Sequence, residues 1–169
     1  MDEVRFQQYG SRCRMWIPPE TRDPVLLHYP TRKSVGYWGA VRVRDGRLLY
    51  RRETEAFNAR TCQQFLQQLY SARPRAGRQT LVITDNAKYH HANLHLSWRE
   101  ERLSRFSLDF LPPYSPELNP IERAWKLTRR LRTHNHYFAT LDEVIVAVET
   151  QFEAWARPNE VLRRLCAIT

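Results

Sequence analysis

The run Thr80-Leu-Val-Ile-Thr-Asp85 constrains this chain of 169 residues more than any other stretch. Five residues rich in apolar and β-branched side chains, bounded by polar segments, carry the signature of a buried central strand. The run closes on a carboxylate, and burying a carboxylate is costly unless it is paired or bound to a metal ion. The bland alternative is that Asp85 caps the following turn through backbone N–H groups, and position alone does not separate the two. A central strand needs partners, and the flanking sequence supplies them.

Upstream, DEVRFQQY alternates loosely and CRMWIP is short and apolar, so both read as strands. Residues 34–52 read as a hairpin about the turn signal Arg44-Asp45-Gly46. The four prolines of PPETRDPVLLHYPTRK mark an irregular loop. Asn58 is a candidate N-cap for a helix whose Cys62, Phe65, Leu66, Leu69 and Tyr70 recur at helical spacing and which ends before Pro74. RPRAGR is a basic loop. Downstream, the pattern predicts a helix over His91 to Ser104, a short strand in SLDFLP, and a proline-dense turn in PPYSPELNP. A helix follows in IERAWKLTRRLR, with Ile121, Ala124, Trp125 and Thr128 facing the core. Thr140 and Glu143 form a capping box. It opens a helix with one apolar stripe of Leu141, Val144, Ile145, Val148, Phe152 and Trp155. This order predicts an α/β fold, a mixed sheet with flanking helices. Ligands of such sheets gather at the carboxyl ends of the central strands, which is where Asp85 stands.

Composition narrows the function classes. No apolar run reaches the length of a membrane span, and MDEVRFQQYG has neither the basic nor the apolar region of a signal peptide. The expectation is a cytoplasmic protein with no membrane partner. Cys13, Cys62 and Cys166 lie far apart, which suggests neither a disulfide framework nor a zinc ribbon. The net charge is +9, from 27 basic and 18 acidic residues, and 24 of the basic residues are Arg. A GC-rich coding bias alone could produce so much Arg. The excess is nevertheless regional: residues 1–78 carry 15 basic against 7 acidic side chains, while the tail from residue 138 carries 3 against 5. A basic face of this kind suits a polyanion, most often nucleic acid.

Three acids stand out by position: Asp2 in the first strand, Asp85 at the end of the apolar one, and Glu122 in the first turn after the proline-dense segment. Three carboxylates drawn from two strands and a helix would suit a pair of Mg²⁺ ions, which prefer oxygen ligands. Two such ions stabilise the attacking and leaving oxygens of phosphoryl transfer. Glu122 has a second reading, because Lys126 lies four residues on, in the favourable order for a surface ion pair worth roughly 0.3–0.5 kcal/mol. Competing motifs are missing: there is no GxSxG, P-loop or GxGxxG, and only 5 glycines to build phosphate-cradling loops. His90 and His91, and His134 with His136, lack the companion Cys or HExxH spacing of a zinc site.

These segments resemble a known family. LVITDNAKYHHA and LPPYSPELNPIERAWKLTRR look like the second and third catalytic motifs of Asp-Asp-Glu (DDE) transposases, in the mariner-like branch of bacterial insertion sequences. DEVRFQ looks like the first. Thirty-six residues separate Asp85 from Glu122, similar to the spacing in that group. The resemblance covers essentially the whole chain. It implies a ribonuclease-H-like fold with Asp2, Asp85 and Glu122 as the metal-binding and catalytic triad for two Mg²⁺ ions, with Mn²⁺ as substitute. It also implies metal-dependent cleavage of DNA at the element's ends, attack of the freed 3′-hydroxyl on target DNA, and a homodimer that pairs two ends. Asn86 and His90 match the family pattern after the second strand, as DNA contacts or as support for the triad, with local capping an equal alternative. Lys126, Arg129 and Arg130 are candidate phosphate contacts, and Asn119 and Pro120 shape the turn that presents Glu122.

The sequence departs from the family in one respect. Residues 1–169 read as the catalytic domain alone, with the N-terminal helix-turn-helix DNA-recognition domain absent and the first strand truncated. A second expectation therefore stands beside the enzyme: a catalytically inactive remnant or basic DNA-binding module.

Overall fold

A computed structural model describes residues 1–14, 18, 31–74 and 78–167. Three strands form an antiparallel sheet in the order β1 (Asp2–Gln7), β2 (Ser34–Arg42), β3 (Arg47–Glu53). The ladder between β1 and β2 runs from Asp2↔Gly39 to Gln7↔Ser34, and that between β2 and β3 from Gly36↔Glu53 to Arg42↔Arg47. The hairpin turn closes at Gly46, whose φ of 70° lies in the left-handed region that glycine adopts freely. The strand expected in CRMWIP lies for the most part outside the described residues, as do most of PPETRDPVLLHYPTRK and the centre of RPRAGR.

Helix α1 (Ala59–Ser71) starts where its cap predicts. Asn58 accepts from the N–H groups of Arg60 and Thr61, and the Thr61 hydroxyl accepts from the Asn58 N–H. Its buried face of Cys62, Phe65, Leu66 and Leu69 packs with Trp38, Val82 and Phe106 in one apolar cluster. On the opposite face of the antiparallel sheet, Val4, Phe6, Tyr37 and Leu48 pack with Ile121, Ala124 and Trp125 of helix α3 (Pro120–Thr128) and with Val144, Val148, Phe152 and Trp155 of helix α4 (Leu141–Trp155). Thr140 caps α4 by accepting from the Glu143 N–H at 3.3 Å.

Strand β4 (Thr80–Thr84) pairs in parallel with β5 (Phe106–Phe110), from Thr80↔Phe106 to Thr84↔Phe110. This pair is a separate two-stranded sheet. The expectation of a buried central strand is therefore corrected: Leu81 is 54% exposed. The cause is the seam beside it, where among the described residues no strand ladder joins β1 to β4 and the Met1 amine, just ahead of β1, donates to the Ile83 carbonyl at 2.5 Å. An apolar groove of about 330 Å³, lined by Val41, Leu49, Leu69, Leu81, Val82 and Ile121 among others, opens along that seam.

The helix expected over His91 to Ser104 is broken. Two 3-10 turns, Lys88–His91 and Asn93–His95, precede a short helix α2 (Leu96–Glu100), and turns follow it. Extended backbone at Ala92 (φ −64°, ψ 138°) interrupts the ladder, and no side chain caps any of the three pieces. Beyond α3 the backbone widens into a π-helical turn over Arg129–Thr133. A last helix α5 (Glu160–Leu165), capped by Asn159, closes the described chain; the sequence reading had not separated it.

Candidate active site

Asp2, Asp85 and Glu122 line one cleft of about 410 Å³, together with Asn86, Asn119 and the loop from Leu111 to Pro116. Each acid is delivered by a different element, and each delivery has a local cause.

Asp2 opens β1 directly opposite Gly39. A Cβ at position 39 would lie 2.3 Å from the indole of Trp125, so glycine is what lets α3 approach the sheet here. That approach brings the Trp125 Nε1–H to Asp2 Oδ2, to which it donates at 3.3 Å. Asp2 is buried, at 7% exposure. Burial first, then the neighbouring charges of Glu3 and Glu122, push its carboxyl up to about 7. Glu3 points to the other face of the strand, where the Tyr89 hydroxyl donates to it, and burial raises its carboxyl too.

Asp85 follows β4 and is half exposed. The His90 Nδ1–H donates to Asp85 Oδ1 at 2.9 Å, and this bond is the chief reason the Asp85 carboxyl sits below its ordinary value. His90 Nδ1 also lies 3.1 Å from the Asp85 carbonyl and 3.1 Å from Thr84 Oγ1. The Ala87 N–H contributes a bond to Asp85 Oδ1 at 3.3 Å, so the capping alternative is present as a minor component.

Glu122 occupies the first turn of α3, where Pro120 fits the first helical position because its missing N–H needs no partner there. The Glu122 N–H donates to the Asn119 carbonyl at 3.1 Å. No ion pair joins Glu122 to Lys126 among the described residues, which leaves its carboxylate to the cleft. The Asn119 side chain does not cap the helix. It is buried, its amide N–H reaches the Met1 carbonyl at 3.5 Å, and its Oδ1 has no partner among the described residues. Asn119 is thus more than a turn former.

The other expected contacts are placed unevenly. His90 is fully buried, packed against Trp38 and Tyr89, and bonded to Asp85, the arrangement of the triad-support alternative and not of a DNA contact. Asn86 stays exposed at the cleft wall, its amide donating to the Leu111 carbonyl and its Oδ1 lying 3.3 Å from His91 Nε2. Lys126 and Arg130 are exposed, whereas the Arg129 guanidinium lies over the Phe6 ring, 5.5 Å from its centroid. None of these three cations lines the cleft. The sequence reading passed over Tyr114, which does line it; the aromatic ring between Pro113 and the Ser115-Pro116 pair was the available signal.

The donor set fits hard divalent cations. Three carboxylates and Asn119, whose Oδ1 has no partner among the described residues, line one cleft, and a cation there would relieve the Glu122 charge that, after burial and Glu3, raises Asp2. Among the described residues no three His, Cys, Asp or Glu side chains stand close enough to hold one ion between them. An ion here would draw on one or two carboxylates and complete its shell with water and phosphate oxygens, as Mg²⁺ commonly does.

An antiparallel sheet and a parallel strand pair flanked by helices, with acids at the head of β1, the end of β4 and the start of α3, define the ribonuclease-H-like fold class. Within that class the chain belongs to the DDE superfamily endonuclease family, whose model matches residues 1–145. Solved structures share the fold. The Mos1 transposase paired-end complex with left transposon end superposes with a TM-score of 0.71 at 18% identity, covering 98% of this chain and 50% of that one. The Mos1 mariner paired-end complex with Mn gives 0.68 at 17% identity, covering 97% and 49%. A curated relative, the uncharacterized protein y4pE/y4sA of Sinorhizobium fredii (strain NBRC 101917 / NGR234), is 32% identical over 69 residues, which is 41% of this chain and 47% of that protein. The chain thus spans about half the length of the proteins it matches.

Proposed function

We propose that this chain is the catalytic domain of a DDE transposase, which cleaves DNA phosphodiester bonds at the ends of an insertion sequence and joins the freed 3′-hydroxyl to target DNA. The observation that carries the reading is the meeting of Asp2, Asp85 and Glu122, from three separate elements, in one cleft. Those three carboxylates would hold two Mg²⁺ ions, or Mn²⁺ in their place. Bound there, the ions would polarise the scissile phosphate and activate first water and then the 3′-hydroxyl. The chain's own part is positioning. His90 fixes the Asp85 carboxylate, and Trp125 holds Asp2 through its indole N–H. Asn86 would contact DNA at the cleft wall and Lys126, Arg129 and Arg130 outside the cleft, and the net charge of +9 favours the phosphate backbone. In this reading residues 1–169 form one catalytic domain that works in the cytoplasm, paired as a homodimer across two element ends, with sequence recognition supplied by a helix-turn-helix region outside these residues. No described helix is long and apolar enough to cross a membrane.

The test is nicking of supercoiled plasmid. Wild-type chain should nick only with Mg²⁺ or Mn²⁺, and Asp85→Ala should fall to background while still binding DNA. The looser spacing of the acids supports the second reading, a basic DNA-binding module without catalysis. Metal-independent DNA binding, unchanged by Asp85→Ala and without nicking under any metal, would establish that module and sink the enzyme.

A further inference from the structure

Tyr114 is the least protected aromatic residue described in the molecule. Its exposure is 101%, against 65% for the next large apolar side chain, Val146. Among the described residues its ring makes no aromatic or cation–π contact and its hydroxyl no hydrogen bond, so nothing inside the fold explains why an aromatic residue stands there. The backbone nonetheless holds it at a cost. Its φ is 57°, a left-handed conformation that is unfavourable for a bulky side chain and is retained where the surroundings impose it. Pro112 and Pro113 precede it and Pro116 follows, and the Ser115 hydroxyl donates back to the Pro113 carbonyl at 3.3 Å. The Asn86 amide ties the same loop to the end of β4 through the Leu111 carbonyl. The ring is therefore presented by a restrained turn, at the lip of the cleft that also holds Asp2, Asp85 and Glu122.

A neutral, flat and exposed ring beside a carboxylate cleft suits one ligand surface better than others. A neutral ring offers no charge to a phosphate, and a duplex keeps its base faces stacked inside. An unpaired base offers a free π-face, and stacking on an aromatic side chain contributes about 1–3 kcal/mol per base whatever the base. A restrained ring loses little freedom on binding. We propose that Tyr114 is a stacking platform for an unpaired base next to the phosphodiester in the acid cleft, so that the cleft takes a frayed or single-stranded DNA end in preference to an intact duplex. This rests on the DNA-cleaving function proposed above and adds the form of DNA the cleft receives.

The experiment measures binding of the full chain to two oligonucleotides of equal length, one a blunt duplex and one with a four-nucleotide unpaired end carrying 2-aminopurine. Wild type should bind the frayed end more tightly and quench the 2-aminopurine fluorescence by stacking. Tyr114→Ala should weaken binding of the frayed end about tenfold, within the range of one base–aromatic stack, and abolish the quench. Tyr114→Trp should restore both, and none of these changes should alter blunt-duplex binding or the thermal melt. Equal binding of the two DNAs by wild type and Tyr114→Ala would overturn the stacking proposal and leave the DNA-cleaving function intact. So would a shift of Tyr114→Ala in sedimentation with no change in the quench, because the ring would then be a protein contact. If wild type binds neither DNA, the function itself fails and the platform with it.

Discussion

The two sheets of this molecule are built to different standards, and the candidate site lies where they meet. The antiparallel sheet is covered on both faces. Tyr37 and Trp38, neighbours on β2, are both at 0% exposure, one packed toward α4 and the other toward α1. The parallel pair β4–β5 has five residues in each strand, leaves Leu81 54% exposed, and among the described residues is joined to the antiparallel sheet by no strand ladder, its Ile83 carbonyl accepting from the Met1 amine ahead of β1. Asp2 comes from the well-built side and Asp85 from the sparse one. The difference teaches that the two acids are held by different means. Asp2 is fixed by packing around it, with Gly39, Trp125 and Ile121 closing on the strand. Asp85 is fixed by a single buried side chain, His90, bonded to both its carboxylate and its carbonyl.

The largest effect should come from breaking the packed side. Trp125→Ala removes a side chain at 1% exposure that contacts Phe152 and donates to Asp2. A loss of about 3–5 kcal/mol is expected, readable in a denaturant melt. A loss near zero would mean that α3 does not rest on the antiparallel sheet as described. Gly39→Ala attacks the same contact from below by placing a methyl group 2.3 Å from the indole carbons. Overpacking of this sort costs about 1–3 kcal/mol, and pairing it with Trp125→Ala should make the two changes strongly non-additive, since the second removes what the first collides with. A Trp125→Ala background in which Gly39→Ala still costs its full amount would break the assignment.

Much of this was legible from local chemistry. The cap at Asn58, the hairpin over residues 34–52, and the proline turn ahead of Glu122 depend on a few neighbouring residues, and each formed as its sequence predicts; at Thr140 half of the expected box formed, the Glu143 carboxylate accepting from the Ala139 N–H instead. What escaped was non-local. Nothing in TLVITD reveals that its far edge meets one amine and a groove in place of a strand ladder. His90 looks like any polar residue in a loop until Trp38, 52 residues away in sequence, is packed against it. The broken segment after His91 carries an apolar pattern loose enough to pass for one helix, and only the extended backbone at Ala92 shows otherwise.

The packed side also carries an electrostatic penalty that can be titrated. Asp2 holds its proton up to about pH 7 in the folded chain, against an ordinary value of 3.8 when unfolded. Between those values the unfolded chain has released a proton that the folded chain still binds, so stability falls as pH rises from about 4 to about 7. Glu3, raised in the same direction, adds to the slope. In metal-free buffer the melting temperature should therefore drop across this window, and Asp2→Asn should flatten part of the drop. A variant whose melting profile parallels wild type would show that Asp2 is not buried as described. Added Mg²⁺ should recover stability for wild type at the upper end of the window and do less for Asp2→Asn, because a cation replaces the proton only where the carboxylate is present.

The smallest effect belongs to the sparse sheet. Leu81 is more than half exposed, so Leu81→Thr exchanges one good strand former for another and removes little buried surface. A change within about ±0.5 kcal/mol is expected in the same melt that reads Trp125→Ala. The size of the gap between these two substitutions is the sharpest measure of the asymmetry. Should Leu81→Thr instead cost several kcal/mol, Leu81 would be buried in solution, covered by something that closes the groove between Val41 and Val82. The parallel pair would then be as well built as its neighbour, and Asp85 would be held by packing as well as by His90.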